Sequence, residues 1–118
     1  MDSILTSIKK LLGISEEYTH FDPDLIMHIN SVFMILNQMG IGPSRPLSIE
    51  DELATWSEFI QDKDYIEAVK TLVAMRVRLI FDPPQSSAHI DAIKNTIAEL
   101  EWRLNAAEQT LSLKGEEV

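Results

Sequence analysis

The sequence contains no cysteine and has only ten basic residues against 19 acidic ones, and these shortages exclude several kinds of function. Without cysteine the chain has no disulfide, no thiolate metal ligand and no thiol nucleophile. The formal net charge is −9, and both halves of the 118-residue chain are acidic. Because no cluster of lysine and arginine is present to neutralise a phosphate backbone, tight and direct nucleic-acid binding is disfavoured.

Long apolar runs are also missing. The first twelve residues lack the basic start and apolar stretch of a signal peptide, and no run is long enough to span a bilayer, so we expect a soluble protein without membrane contact. The length suits one domain, and 45% apolar residues suffice for a core. We expect a single helical domain over residues 1–111 and a mobile tail over residues 112–118, where the apolar pattern is lost.

Apolar residues recur at helical spacing, which predicts an all-α fold, a small bundle of four to five helices. The first helix is expected over residues 3–12, with Asp2 or Ser3 as N-cap and Gly13 beyond its end. The second is expected to follow the cap-and-proline pair at residues 22–23 and to stop at Gly40.

Residues 40–49 hold two glycines and two prolines and predict a loop. A third helix is expected to begin at Ser48, where Ser48 and Asp51 form a capping-box pattern, and to run through Trp56 to residue 59 or 60. The fourth is expected to begin near Asp62 or Asp64.

The sequence Phe-Asp-Pro-Pro at residues 81–84 ends the fourth helix, because proline cannot continue it. A long C-terminal helix is expected to start at residue 86 or 87. Its apolar residues are spaced by three and four over three heptads, which predicts a heptad seam. They are Ile90, Ile93, Ile97, Leu100, Leu104, Ala107 and Leu111.

No pattern indicates catalysis, a metal or a cofactor. The histidines at positions 20, 28 and 89 are scattered, and we interpret His28 as a packed side chain paired with a carboxylate. The run Gly-Ile-Gly-Pro-Ser at residues 40–44 lacks the lysine of a phosphate loop and is interpreted as a turn. The acids at residues 50–52 could suggest a cation site, but the first turn of a helix also favours acids, and that interpretation is preferred.

Three features suggest contacts with other subunits. Arg76 lies within the apolar face of the fourth helix and requires a carboxylate partner, either in the same chain or in a neighbour. Trp102 lies opposite the heptad seam, where an aromatic anchor is typical of an interface. Met27 and Met34 share the outer face of the second helix, which predicts either a second contact surface or core filling.

Several segments in order resemble one protein family. They are the run Leu-Asn-Gln-Met-Gly-Ile-Gly-Pro at residues 36–43, Trp56, the stretch from Ala68 to Pro84, and Leu-Glu-Trp-Arg-Leu at residues 100–104. Together they resemble the head–tail connector, or adaptor, proteins of long-tailed bacteriophages, which are also labelled putative DNA-packaging proteins. The resemblance covers about residues 3–105 and rests on order and spacing rather than on a chemical motif.

The resemblance implies a non-enzymatic virion subunit at the head–tail interface, assembled in the host bacterial cytoplasm. About a dozen copies would form a homo-oligomeric ring between the portal protein and a tail-side stopper or tail-completion protein, and DNA would pass through without specific binding. The C-terminal residues Leu111, Leu113 and Lys114 would contact the portal. The loop residues facing a neighbour or the bore would be Ile41, Pro43, Arg45, Pro46 and Leu47.

One alternative remains open from the composition. A small acidic helical bundle also suits a regulatory protein or an inhibitor that mimics DNA. An enzyme would require a divalent-cation site among the acids at residues 50–52, and we do not expect one.

Overall fold

The computed structural model describes residues 3–60 and 64–116, with the side chains of the last helix described as far as Ala107. Four α-helices follow one another: α1 (Ile4–Leu11), α2 (Asp22–Gln38), α3 (Ile66–Phe81) and α4 (Ser87–Glu116). A 3₁₀ turn, Trp56–Glu58, lies between α2 and α3. The described residues contain no strand, so the predicted all-α bundle is confirmed.

The first two helices begin and end close to their predicted signals. The Ser3 hydroxyl accepts a hydrogen bond from the Thr6 N–H at 3.2 Å, which makes Ser3 the N-cap of α1. Gly40 follows α2 with a φ of 81°, a conformation that glycine adopts without steric cost. Asp22 is the first residue of α2 rather than its cap, and Phe21 occupies the cap position.

The predicted third helix is wrong over residues 48–55. The side-chain amide of Asn30 forms two hydrogen bonds with the backbone of Ile49. Asn30 Nδ2 donates to the Ile49 carbonyl at 3.0 Å, and the Ile49 N–H donates to Asn30 Oδ1 at 2.7 Å. The Asp51 carboxylate accepts from the Leu53 N–H at 2.8 Å, a local turn that competes with a helix. The capping box that does form joins Thr55 to Glu58.

The core lies where α1, α2 and α3 meet, and the inner face of α4 closes it. Three aromatic rings pack together within the core. The Phe33 ring stacks on the Phe59 ring with centroids 4.6 Å apart, and the Trp56 ring meets Phe33 edge-on. The largest side chains with less than 2% exposure are Trp56, Phe33, Ile4, Leu5, Ile8, Leu25, Ile29, Leu36, Ile41, Leu72, Val32 and Val69.

One charged side chain is buried at the junction of α1 and α2. Lys9 is 2% exposed, yet its ammonium reaches three acceptors. It donates to the Glu16 carbonyl at 3.0 Å and to the Tyr18 carbonyl at 2.8 Å, and it lies 2.9 Å from Asp22 Oδ1. A buried charge is tolerated when it is paired and hydrogen-bonded in this way. Through these contacts Lys9 joins α1 to the segment of residues 12–21 that follows it and to the first residue of α2.

Helix α4 is 30 residues long, about 45 Å at 1.5 Å per residue, and nearly matches the longest extent of the molecule, 48 Å. Its inward residues Ile97 and Leu104 are buried against the core of the same chain. The structure does not confirm a heptad seam for a partner helix. Helical backbone continues past residue 111 to Glu116, while the predicted domain boundary and mobile tail stay predictions; residues 117–118 lie outside the described residues.

Candidate assembly surfaces

The outer face of α4 carries a large exposed aromatic side chain. Trp102 is 72% exposed. Glu101, which precedes it, and Leu104, two residues further on, are only 8% and 4% exposed. The geometry confirms that Trp102 points away from the bundle, as the helical spacing predicted. Its role in an interface stays a prediction.

The outer face of α2 carries the two methionines. Met27 is 59% exposed and Met34 is 51% exposed, so neither fills the core of this chain. The asparagine side chains of this helix form hydrogen bonds with the segment that follows α2. Asn30 bonds the backbone of Ile49, and Asn37 Nδ2 donates to the Pro43 carbonyl at 2.9 Å. The two methionines therefore remain available as a contact surface.

The predicted contact residues of the loop after α2 lie partly in the core and partly on the surface. Ile41 is 1% exposed and belongs to the core. Arg45 and Pro46 are exposed, whereas Pro43 and Leu47 are partly buried. The loop is therefore fixed at its start by Ile41, and its exposed side is formed by Arg45 and Pro46.

Arg76 has the carboxylate partner that its position requires, and the partner lies in the same chain. Arg76 Nε donates to the carboxylate of Glu101, which joins α3 to α4. The two side chains are 26% and 11% exposed. Of the two alternatives left open by the sequence, the structure shows the intramolecular pair.

The C-terminal residues that the resemblance assigns to a portal contact, Leu111, Leu113 and Lys114, lie in the last turns of α4, beyond the described side chains. The Asn105 amide, which precedes them, donates to the Met39 carbonyl at the end of α2. Helix α4 continues eleven residues from there to Glu116, about 16 Å further.

A cleft of about 420 Å³ lies between the end of α1, the face of α3 and the beginning of α4. Leu11, which is 54% exposed, forms part of its wall. The sequence does not predict the cleft, because the gap depends on how α4 crosses α3. Its full lining comprises Leu11, Leu12, Thr71, Ala74, Met75, Arg78, Pro84, His89 and Ile93.

The structure also places the acids at residues 50–52 and the histidines. Residues 50–52 are exposed and do not start a helix, which corrects the predicted capping role. Among the side chains described, in residues 3–60 and 64–107, no three or more potential metal ligands gather in one group. His28 lies beside Phe81, with ring centroids 6.4 Å apart. None of the helices in this described part is both long enough and apolar enough to cross a membrane.

A family model described as "Phage connector protein" matches residues 4–110, which extend from the first residue of α1 into the second half of α4. The chain belongs to the phage connector protein family. The match confirms the resemblance to head–tail connectors that the order of segments suggested. No curated protein and no solved structure gave a match.

Membership of the phage connector family places the chain among the structural components of bacteriophage particles. Connector proteins act by associating with other phage structural proteins, so exposed surfaces are the relevant sites. On this phage connector protein the candidates are the Trp102 face of α4, the methionine face of α2, the exposed side of the 41–47 loop and the cleft beside α1.

Proposed function

We propose that this chain is a head–tail connector subunit whose copies form a ring between the portal and the tail, through which DNA passes. The family match over residues 4–110 is the observation that carries this proposal. Ring formation is supported by the exposed aromatic side chain of Trp102, because tryptophan is enriched among the residues that dominate protein interfaces. Trp102 and Met27, on different helices, are 72% and 59% exposed.

The charge of the chain suits a passage for DNA. Each copy carries a net charge of −9, so a ring of about a dozen copies would collect on the order of a hundred negative charges. A bore lined by part of this charge repels the phosphate backbone and prevents adhesion. Passage without specific binding follows from this repulsion.

The two ends of the assembly are assigned by resemblance to the family. We assign the last turns of α4, with Leu111, Leu113 and Lys114, to the portal. The exposed side of the 41–47 loop, with Arg45 and Pro46, is assigned to a neighbouring subunit, the bore or the tail-side protein. The length of α4 beyond Asn105 supports this division, because its last turns extend past the Asn105–Met39 contact beside the loop.

A conditional nonsense mutation in the phage gene for this chain tests the proposal. We expect DNA-filled heads and free tails to accumulate separately, and plasmid-supplied wild-type protein to restore joining. Normal infectious particles under the same depletion would contradict the connector function and would favour an acidic regulatory protein. Electron microscopy of the lysate distinguishes these results.

A further inference from the structure

We propose that Trp102 of one copy docks into the cleft beside α1 of the next copy, and that this contact joins neighbouring subunits. The inference rests on the proposed ring and names the two surfaces that would form it. The exposed indole is a protruding aromatic feature of the described surface, and the open cleft is a receding one. A volume of about 420 Å³ falls within the range of about 300–1,000 Å³ that admits drug-sized molecules, so an indole fits.

The two features lie on opposite sides of α4. Ile93, which lines the cleft, precedes Trp102 by nine residues. At 100° and 1.5 Å per residue this separation is a rotation of about 180° and a rise of about 13.5 Å. One copy's Trp102 therefore cannot enter its own cleft. A contact between Trp102 of one copy and the cleft of the next uses two different surfaces and is of the head-to-tail kind.

A head-to-tail contact is the kind that generates rings. In a ring of about twelve copies each interface turns by about 30°, so the two surfaces of one subunit must face about 150° apart. Trp102 and the cleft lie on opposite sides of α4, which is compatible with that requirement. A two-fold dimer would instead use one surface twice.

The charges beside the two features are complementary in part. The exposed residues near Trp102 on α4 include the acids Asp91 and Glu99 and the bases Lys94 and Arg103, of which Glu99 and Arg103 pair at 2.8 Å. Arg78 is exposed and lines the cleft. In a chain of net charge −9, this base favours an acidic group such as Asp91 on the partner surface.

The chemistry of the cleft also suits an indole. Met75 and Pro84 provide apolar walls, and sulfur and aliphatic groups pack well against aromatic rings. The Arg78 guanidinium at the rim can lie over the ring face. Aromatic anchors seated in apolar pockets commonly dominate the affinity of protein interfaces.

The absence of cysteine allows a direct test by pairwise crosslinking of the full-length chain. Ala98→Cys places a thiol on the exposed Trp102 side of α4, and Thr71→Cys places one on the exposed cleft wall. The two single-cysteine proteins are mixed, with and without the cognate portal protein, and treated with a short bismaleimide. We expect the mixed Ala98–Thr71 dimer to exceed both homodimers. Ser57→Cys, which is exposed on the 3₁₀ turn and lies outside the four candidate surfaces, replaces Thr71→Cys in the control mixture.

Two further variants test the contact without crosslinking. Trp102→Ala removes the inserted side chain, and Thr71→Trp fills the cleft from its exposed edge. Each is expected to raise the dissociation constant for self-association by about 10- to 100-fold. Trp102→Phe is expected to retain most of the affinity. Circular dichroism of each monomer confirms that folding is unchanged.

The results separate the docking inference from the proposed function. Rings that form normally with Trp102→Ala and give no Ala98–Thr71 crosslink would overturn the docking inference and leave the connector function intact. Failure of the wild-type chain to associate with itself, in both the presence and the absence of portal, would overturn the docking inference and the ring. A selective crosslink together with weakened assembly of both variants would support the inference.

Discussion

Replacement of Lys9 by methionine is expected to lower the free energy of unfolding substantially. Methionine retains most of the apolar stem but removes the ammonium that contacts the Glu16 and Tyr18 carbonyls and the Asp22 carboxylate. Two carbonyls in a partly buried site then lose their hydrogen-bond donor, and the Asp22 carboxylate loses its ion-pair partner. The Asp22 side chain is 21% exposed, so water recovers only part of the loss.

The magnitude follows from the burial of the two partners. Removing one member of a fully buried ion pair costs about 3–5 kcal/mol. The partial exposure of Asp22 and its position in the first turn of α2, where the helix dipole favours an acid, reduce the expected cost to about 2–4 kcal/mol. For a domain of this size each kcal/mol corresponds to roughly 4 °C, so Tm is expected to fall by about 8–16 °C.

Urea denaturation followed by circular dichroism measures this change, and Lys10→Met is the matched control. Lys10 is exposed in the same helix and carries the same charge, so both variants change the net charge equally. The control is expected to stay within about 0.5 kcal/mol of wild type. A difference of less than about 1 kcal/mol between the two variants would refute the reasoning, because the three contacts would then contribute little beyond surface charge.

Three further predictions concern other contacts. Arg76→Met is expected to cost about 2–4 kcal/mol in urea denaturation, because it leaves the buried Glu101 carboxylate without its partner; adding Glu101→Gln should recover part of the loss. Gly42→Ala is expected to cost about 2–4 kcal/mol, since its φ is 100° and a Cβ atom would lie 2.7 Å from the Phe59 ring. Trp102→Ala should change monomer stability by less than about 0.5 kcal/mol, because the side chain is 72% exposed.

The first two of these predictions have a matched control in the chain. Arg103→Met breaks the exposed pair with Glu99 and should cost less than about 1 kcal/mol; an equal loss at both arginines would contradict the effect of burial. Gly13→Ala has a φ of 80° but no atom within 4 Å, so only strain of about 1–2 kcal/mol is expected. A monomer that melts on loss of Trp102 would show that this side chain is structural.

Sequence patterns predicted the helices whose limits are set by local chemistry. Ser3 caps α1 through its own hydroxyl, Gly40 ends α2, and the two prolines after residue 82 end α3. These signals act within a few residues of where they occur. The exposure of Trp102 was predictable for the same reason, because the helical spacing of α4 alone places Trp102 opposite its apolar residues.

The errors lie where distant residues decide the backbone. Nothing near Ser48 reveals that the side chain of Asn30, on α2, bonds both the N–H and the carbonyl of Ile49. The Ser48–Asp51 capping pattern was therefore misleading, while the Thr55–Glu58 box, which forms, lay a few residues later. A local pattern predicts a helix only when no tertiary contact competes for the same backbone groups.

The two buried charged contacts were only partly predictable. Arg76 was recognised as needing a carboxylate, but its partner Glu101 lies 25 residues away and depends on the crossing of α3 and α4. Lys9 was missed, although it interrupts the apolar face formed by Ile4, Leu5 and Ile8. A lysine on such a face is the signal that could have revealed it, because a buried ammonium requires several acceptors.

The proposed function requires that copies of this chain join one another on the portal. Electron microscopy of the purified chain mixed with its cognate portal protein shows whether they do. We expect a closed ring of this chain stacked on one face of the portal, with its acidic surface around the bore. Portal particles without added density, beside a chain that remains monomeric, would rule out this assembly.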